Sequence, residues 1–118
     1  MKGTTNRGLT LEQDREQAAW LAQDAKNRAE NMMIVDLLRN DMNRISQTGS
    51  ERVERLCSVE QYSTVWQMTS TIKSQLQEGI GLAELFKALF PCGSITGAPK
   101  ISTMAIIKAT EKAARGVY

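Results

Sequence analysis

The chain has 118 residues, 42% hydrophobic and 24% charged, with a formal net charge of +2; this bounds it to one globular domain at most. Lys and Arg are scattered and aromatics reach only 5%, so nothing forms a basic groove or a base-stacking platform, and no apolar run is long enough for a membrane-spanning helix. Without histidine, Ser-His and Cys-His nucleophile pairs are excluded, and the two cysteines, Cys57 and Cys92, lack metal-type spacing.

Residues 1–9 are rich in Gly, Thr and Asn and read as a loop. They lack the apolar core of a signal peptide, which predicts a cytoplasmic protein with reduced, structural thiols. Thr10 followed by Gln13 matches a helix-capping box, and good helix formers run from Leu11 to about Arg44. Within this stretch Met32-Met33-Ile34-Val35-Asp36-Leu37-Leu38 is apolar nearly all round, which predicts burial. Gly49 marks a turn, and strands are expected over 50–58 and 64–74, the second with Trp66, Met68, Ser70 and Ile72 on one face.

Leu82, Leu85, Phe86 and Leu89 repeat with helical spacing, and Pro91 ends that helix. Cys92 to Gly97 reads as a loop, Pro99 opens a helix that runs to about Arg115, and Gly116-Val117-Tyr118 reads as the start of a further strand. Three helices and two strands make a poor sheet and a helix needing cover, so the chain is expected to be part of a larger α+β domain.

Two stretches carry possible chemistry. Gly93-Ser94-Ile95-Thr96-Gly97-Ala98-Pro99-Lys100 leads into a helix N-terminus, where free N–H groups and the dipole favour an anion; Lys100 strengthens that hint, and an ordinary helix cap explains the pattern equally well. In Arg28 to Asp41, Glu30, Asp36 and Arg39 are not all expected to face solvent. Glu30 is a candidate Mg²⁺ ligand or the partner of a nearby cation, and Asp36 with Arg39 reads as a structural pair. Lys2, taken alone, reads as solvated surface.

Taken together, KGT at 2–4, AENMMIVDLLRND at 29–41, TVWQMTST at 64–71 and GSITGAPK at 93–100 resemble the chorismate-binding enzymes in order and spacing. That family includes anthranilate synthase component I, aminodeoxychorismate synthase component I and the isochorismate and salicylate synthases. The resemblance implies an α+β sandwich of helices enclosed by β-sheets, of which residues 1–118 are a partial chorismate-binding domain truncated at both ends, not active alone. The motifs are most similar to the aminodeoxychorismate branch; anthranilate synthases typically carry Ala at Lys2, His at Asn31 and Ala at Leu38. The resemblance therefore implies a Mg²⁺-dependent enzyme that aminates chorismate at C4, towards p-aminobenzoate and folate, with ammonia from a glutamine amidotransferase subunit or domain.

By the same resemblance Lys2 is the catalytic nucleophile at carbon 2 of chorismate, acting as the neutral amine. Glu30 is the metal ligand, and Gly3, Thr4, Ser94, Ile95, Thr96 and Gly97 line the substrate pocket. The sequence departs from the family at Asn27, where a carboxylate is frequent, and at Gln67, where anthranilate synthases carry histidine. Ser102 and Ala105 read as packing changes, and Cys92 as a small buried thiol in place of glycine.

Overall fold

The computed structural model describes residues 1–116. A short strand β1 (Thr4–Asn6) precedes helices α1 (Leu11–Gln23) and α2 (Ala25–Asn43). A hairpin follows, β2 (Arg52–Gln61) and β3 (Val65–Lys73), and then three helices, α3 (Leu82–Leu89), the single turn α4 (Gly93–Thr96) and α5 (Lys100–Thr110). The sheet has the order β1-β3-β2, antiparallel throughout, with Thr4 opposite Gln67 and Gln61 opposite Trp66. The mixed helix and sheet architecture is the one expected.

Several boundaries differ from the sequence reading. The long helix is two helices, broken at Asp24, whose extended backbone ends α1 and whose carboxylate accepts the Asn27 N–H at 2.8 Å to start α2. The N-terminal loop contains β1, three residues whose strand character comes from pairing with β3. The 93–97 segment is a helical turn, and α5 stops at Thr110, short of Arg115. Of the further strand expected over Gly116-Val117-Tyr118, Gly116 lies in a turn and the other two residues lie outside those described.

Helix α1 seats on the sheet through Leu21, which joins Met68 and Cys57 in a buried cluster flanked by Val59 and Trp66. Its N-terminus is pinned by Asp14, which is only 7% exposed. Arg7 grips the Asp14 carboxylate through Nε at 2.7 Å and Nη2 at 2.6 Å, the Gly8 N–H donates at 2.9 Å, and Trp66 Nε1 at 3.0 Å. The Arg7 guanidinium also lies over the Trp66 ring, 5.1 Å from its centre. Gly8 has no room for a side chain, since a Cβ there would lie 2.2 Å from the Asp14 backbone nitrogen.

Helix α2 buries one face, with Asn31, Val35 and Asp41, and not its whole circumference. Met32 and Met33 are each 48% exposed, contrary to the burial expected of this stretch. Asp36 faces solvent and makes the anticipated pair with Arg39 at 3.5 Å, while Arg39 binds Glu51 more closely at 2.7 Å. Leu82 and Phe86 of α3 and Ile101 and Ile106 of α5 are also exposed, uncovered by any of the described residues.

The Asp14 cluster makes stability depend on pH. Its hydrogen bonds from Arg7 hold the carboxyl well below the usual range; burial opposes this, and Gly8 and Trp66 assist. A folded value below the unfolded one, about 3.9, gives stability that is complete above that pH and lost as pH falls towards the folded value. Asp14→Asn in the native protein is expected to lower the melting temperature at pH 7, and the gap to wild type should narrow steadily below about pH 4. Melting curves recorded from pH 7 to pH 2 check this; a gap that stays constant across the series rules it out.

Candidate functional site

Lys2 is held by its backbone on both sides. Its N–H donates to the Met68 carbonyl at 3.0 Å, and its carbonyl accepts from Asn31 Nδ2 at 2.9 Å. The side chain runs to α2, where Nζ lies 3.4 Å from Glu30 Oε2, with both side chains partly exposed. Gly3 follows with φ +107, a left-handed conformation; a Cβ there would lie 3.1 Å from Met68 Cβ and 3.2 Å from Asn27 Oδ1. The positive φ favours glycine, and a side chain here would crowd Met68 and Asn27. The Gly3 carbonyl accepts from the Met68 N–H at 2.8 Å and from Gln67 Nε2 at 2.7 Å, and Thr4 Oγ1 lies 2.9 Å from Gln67 Oε1.

The residue that organises this corner is Asn31, 2% exposed. Its Nδ2 faces two carbonyls, of Lys2 at 2.9 Å and of Met68 at 3.4 Å. Carbonyls only accept, so the amide orientation is set and Oδ1 must face Ser70 Oγ, which donates to it at 2.5 Å. Ser70 Oγ in turn accepts the Cys57 N–H at 3.0 Å. Cys57 stands at a bulge between Arg55 and Ser58, with φ 51, so its N–H leaves the strand ladder and is satisfied by the Ser70 side chain. Sequence reasoning noted Asn31 only as a difference from anthranilate synthases and gave Ser70 no role. The available signal was a polar residue four positions before Val35, on the face of α2 that turns inward.

The 94–97 segment forms a separate lip. Gly93 packs against α2 so tightly that a Cβ would lie 2.1 Å from Leu37 Cδ2. Ser94 and Ile95 are exposed, Thr96 is buried, and Gly97 has φ +98. Leu37 lies seven residues after Glu30, which places the lip about 10 Å further along the same face of α2. Lys2, Gly3, Thr4 and Glu30 thus form one cluster, and among the described residues no hydrogen bond ties Ser94, Ile95, Thr96 or Gly97 to it.

Two readings of this region are corrected. Lys100 does not signal an anion at the start of α5: its Nζ binds Asp41 Oδ2 at 2.9 Å and the Ala88 carbonyl at 3.3 Å, in a pair whose side chains are each 11% exposed. It ties the ends of α2 and α3 to the start of α5. Cys92 is exposed rather than buried, and its thiol lies 3.1 Å from Ser94 Oγ, a hydrogen bond that lowers its pKa.

Among the described residues no three potential metal ligands cluster. Glu30 supplies one carboxylate. One helical turn earlier, Asn27 ties its Nδ2 to Asp24 at 2.8 Å, which leaves its Oδ1 free on the side towards Gly3. A carboxylate and an amide oxygen fit a hard cation as a partial shell, of the kind Mg²⁺ completes with water and substrate oxygens.

The sequence profile described as chorismate binding enzyme matches residues 1–118. Anthranilate synthase component 1 of Aquifex aeolicus is 44% identical over 116 residues, covering 98% of this chain and 24% of that protein. Aminodeoxychorismate synthase component 1 of Bacillus subtilis is 45% identical over 116 residues, covering 98% of this chain and 25% of that protein. The chain thus spans about a quarter of the length of these relatives. Among solved structures, anthranilate synthase component I from Streptococcus pneumoniae superposes with a TM-score of 0.78 at 40% identity, covering 92% of this chain and 24% of that one.

The Asn31 network predicts an ordered set of stabilities. Asn31→Ala leaves the Lys2 carbonyl and the Ser70 hydroxyl without their partner and should cost about 1–3 kcal/mol. Asn31→Asp should cost more, because a carboxylate oxygen then faces two carbonyl oxygens. Ser70→Ala should cost about 1 kcal/mol. Urea titrations of the native protein give this order directly, and an Asn31→Asp variant as stable as wild type contradicts the assigned orientation.

Proposed function

Because the chain belongs to the chorismate-binding enzyme family, we propose that it carries part of the active site of an aminodeoxychorismate synthase that aminates chorismate at C4 with ammonia from a glutamine amidotransferase partner. The observation behind this reading is the lysine: its backbone is clamped on both sides, and its Nζ lies 3.4 Å from Glu30 Oε2. A backbone so fixed leaves only the side-chain torsions free, which suits an amine that must reach one carbon of a bound ring.

In this reading Lys2 Nζ, as the neutral amine, bonds carbon 2 of chorismate while the 4-hydroxyl departs; ammonia then bonds carbon 4 and the lysine is expelled. Glu30 and Asn27 are the residues that would hold a magnesium ion. Bound there, the ion supplies charge neutralisation of the ring carboxylate and assistance to the departing hydroxyl. The Lys2–Glu30 contact is partly exposed, and such pairs are worth about 1 kcal/mol or less. Glu30 can therefore release the lysine at little cost and offer its carboxylate elsewhere.

Anthranilate synthase is the competing reading, since relatives of both names match this chain at 44% and 45% identity. Lys2 separates them, because the nucleophile assignment needs an amine at this position. Lys2→Ala in the native protein, supplied with chorismate, Mg²⁺ and ammonia, should reduce formation of 4-amino-4-deoxychorismate by about a hundredfold or more while leaving the melting temperature within 2 °C or so. Chromatography of the products reports both the rate and the identity. Undiminished amination by the variant would dismiss Lys2 as nucleophile, and anthranilate as the wild-type product would dismiss the synthase assignment.

A further inference from the structure

Lys2 and Glu30 ride on different elements, one just before the edge strand β1 and the other on α2. Bonds along the sheet do not relate the two. The Lys2 N–H donates to the Met68 carbonyl at 3.0 Å and the Met68 N–H to the Gly3 carbonyl at 2.8 Å, and both bonds hold the lysine against β3 alone. Val35 of α2 is buried, but apolar contact is non-directional and tolerates small slides of a helix on a sheet. A slide of one residue would carry Glu30 about 1.5 Å along the helix axis. Hydrogen bonds are directional and resist such a slide. Among the described residues, every hydrogen bond between α2 and the strands β2 and β3 is made by the Asn31 side chain. Its Nδ2 donates to the Met68 carbonyl at 3.4 Å, and its Oδ1 accepts from Ser70 Oγ at 2.5 Å and Cys57 Sγ at 3.8 Å. The same Nδ2 donates to the Lys2 carbonyl at 2.9 Å. One amide thus ties the lysine main chain and both strands to α2, one residue after the carboxylate that meets Nζ. Asn31 is 2% exposed, so a ligand does not reach it.

We infer that Asn31 is a positioning residue for the amination, acting through Lys2. It holds the lysine main chain at a fixed place relative to the helix that carries Glu30. The inference rests on the reading of Lys2 as nucleophile given above. Bond formation between Nζ and carbon 2 depends steeply on where the lysine is anchored, whereas binding of chorismate does not involve Asn31. The amide therefore governs the rate of the bound complex and not the affinity for substrate. Its whole effect passes through the lysine, so it has nothing to act on once the amine is removed.

The test is a double-mutant cycle on the native protein, with chorismate, Mg²⁺ and ammonia. It is read as kcat and KM for 4-amino-4-deoxychorismate, below the melting temperature of every variant. Asn31→Ala should lower kcat about ten- to a hundredfold, the effect of misplacing a reacting atom by about 1 Å, and leave KM for chorismate within about twofold. In the Lys2→Ala protein the same change should leave the residual rate within about twofold, because no amine remains to be positioned. Asp14→Asn, which destabilises the fold through Arg7 and Trp66, should leave kcat unchanged. Ser70→Ala removes only the partner of Oδ1 and keeps the Nδ2 contacts. It should show the same pattern at smaller size, and it carries the test if Asn31→Ala does not fold. An equal loss with and without the lysine means general loosening and overturns the inference. So does an unchanged kcat, with or without a rise in KM. If Lys2→Ala is slow and Asn31→Ala is not, the nucleophile reading stands and this inference alone falls. If Lys2→Ala aminates at full rate, the two fall together.

Discussion

A buried primary amide between carbonyls has one permitted orientation, because carbonyls cannot donate. Asn31 is in that position, and much of the candidate site follows from it. Its nitrogen is claimed by the Lys2 and Met68 carbonyls, its oxygen by Ser70, and Ser70 by the displaced N–H of Cys57. The chain of donors runs from a bulge in β2, across β3, through α2, to the backbone of the lysine that precedes β1. The links are partly or fully buried, where leaving one unmade costs more than a surface contact gains. The bulge at Cys57 thereby has a use: a regular strand would spend that N–H on the ladder, and Ser70 would lose one of the two contacts that orient it.

The same logic explains which parts of the architecture could be read from the chain. Helix α3 is legible in the sequence, because Leu82, Leu85, Phe86 and Leu89 form an apolar stripe and Pro91 stops it. The β2–β3 hairpin was legible from its β-branched content, with ends displaced by up to three residues. Asp24 was not legible, since aspartate inside a long helical run looks like a solvated charge. Its cap on Asn27 becomes visible only with the backbone bend in place. Strand β1 was hidden for another reason: three residues carry no period, and their conformation is imposed by Val65–Gln67 across the ladder. Helix α2 misled in the opposite direction. An apolar run predicts burial all round, but within these residues only one face meets the sheet and the later helices.

The candidate site divides along a similar line. Lys2, Gly3, Thr4 and Glu30 are expected from the resemblance of their motifs, and in the fold the Lys2 ammonium meets Glu30 while Thr4 meets Gln67. The support beneath them, Asn31, Ser70 and Gln67, is made of residue types with no distinctive spacing, brought together from α2 and β3. Lys100 shows the converse error. A lysine beside a glycine-containing turn invites an anion, yet a nearly buried ammonium needs a counter-charge first, and Asp41 on α2 supplies it. In this fold Lys100 joins three helices.

Helix α2 is the element through which these parts are related. Glu30 faces the lysine, Asn31 beside it holds that lysine's backbone, Leu37 receives Gly93 without room for a methyl group, and Asp41 anchors Lys100. A rigid helix rises about 1.5 Å per residue, so the spacing between the lysine corner and the 94–97 lip is set by seven residues of one element rather than by loop conformations. Precision of that kind is what a bimolecular reaction gains from being held on a scaffold. It also separates two kinds of contact at the corner itself. The backbone of Lys2 is tied by direction-fixed hydrogen bonds to Met68 and Asn31, whereas its ammonium meets Glu30 across a partly exposed gap of 3.4 Å. The first contact cannot be exchanged without opening the fold. The second costs little to break, so the ammonium is the end of Lys2 that is free to move.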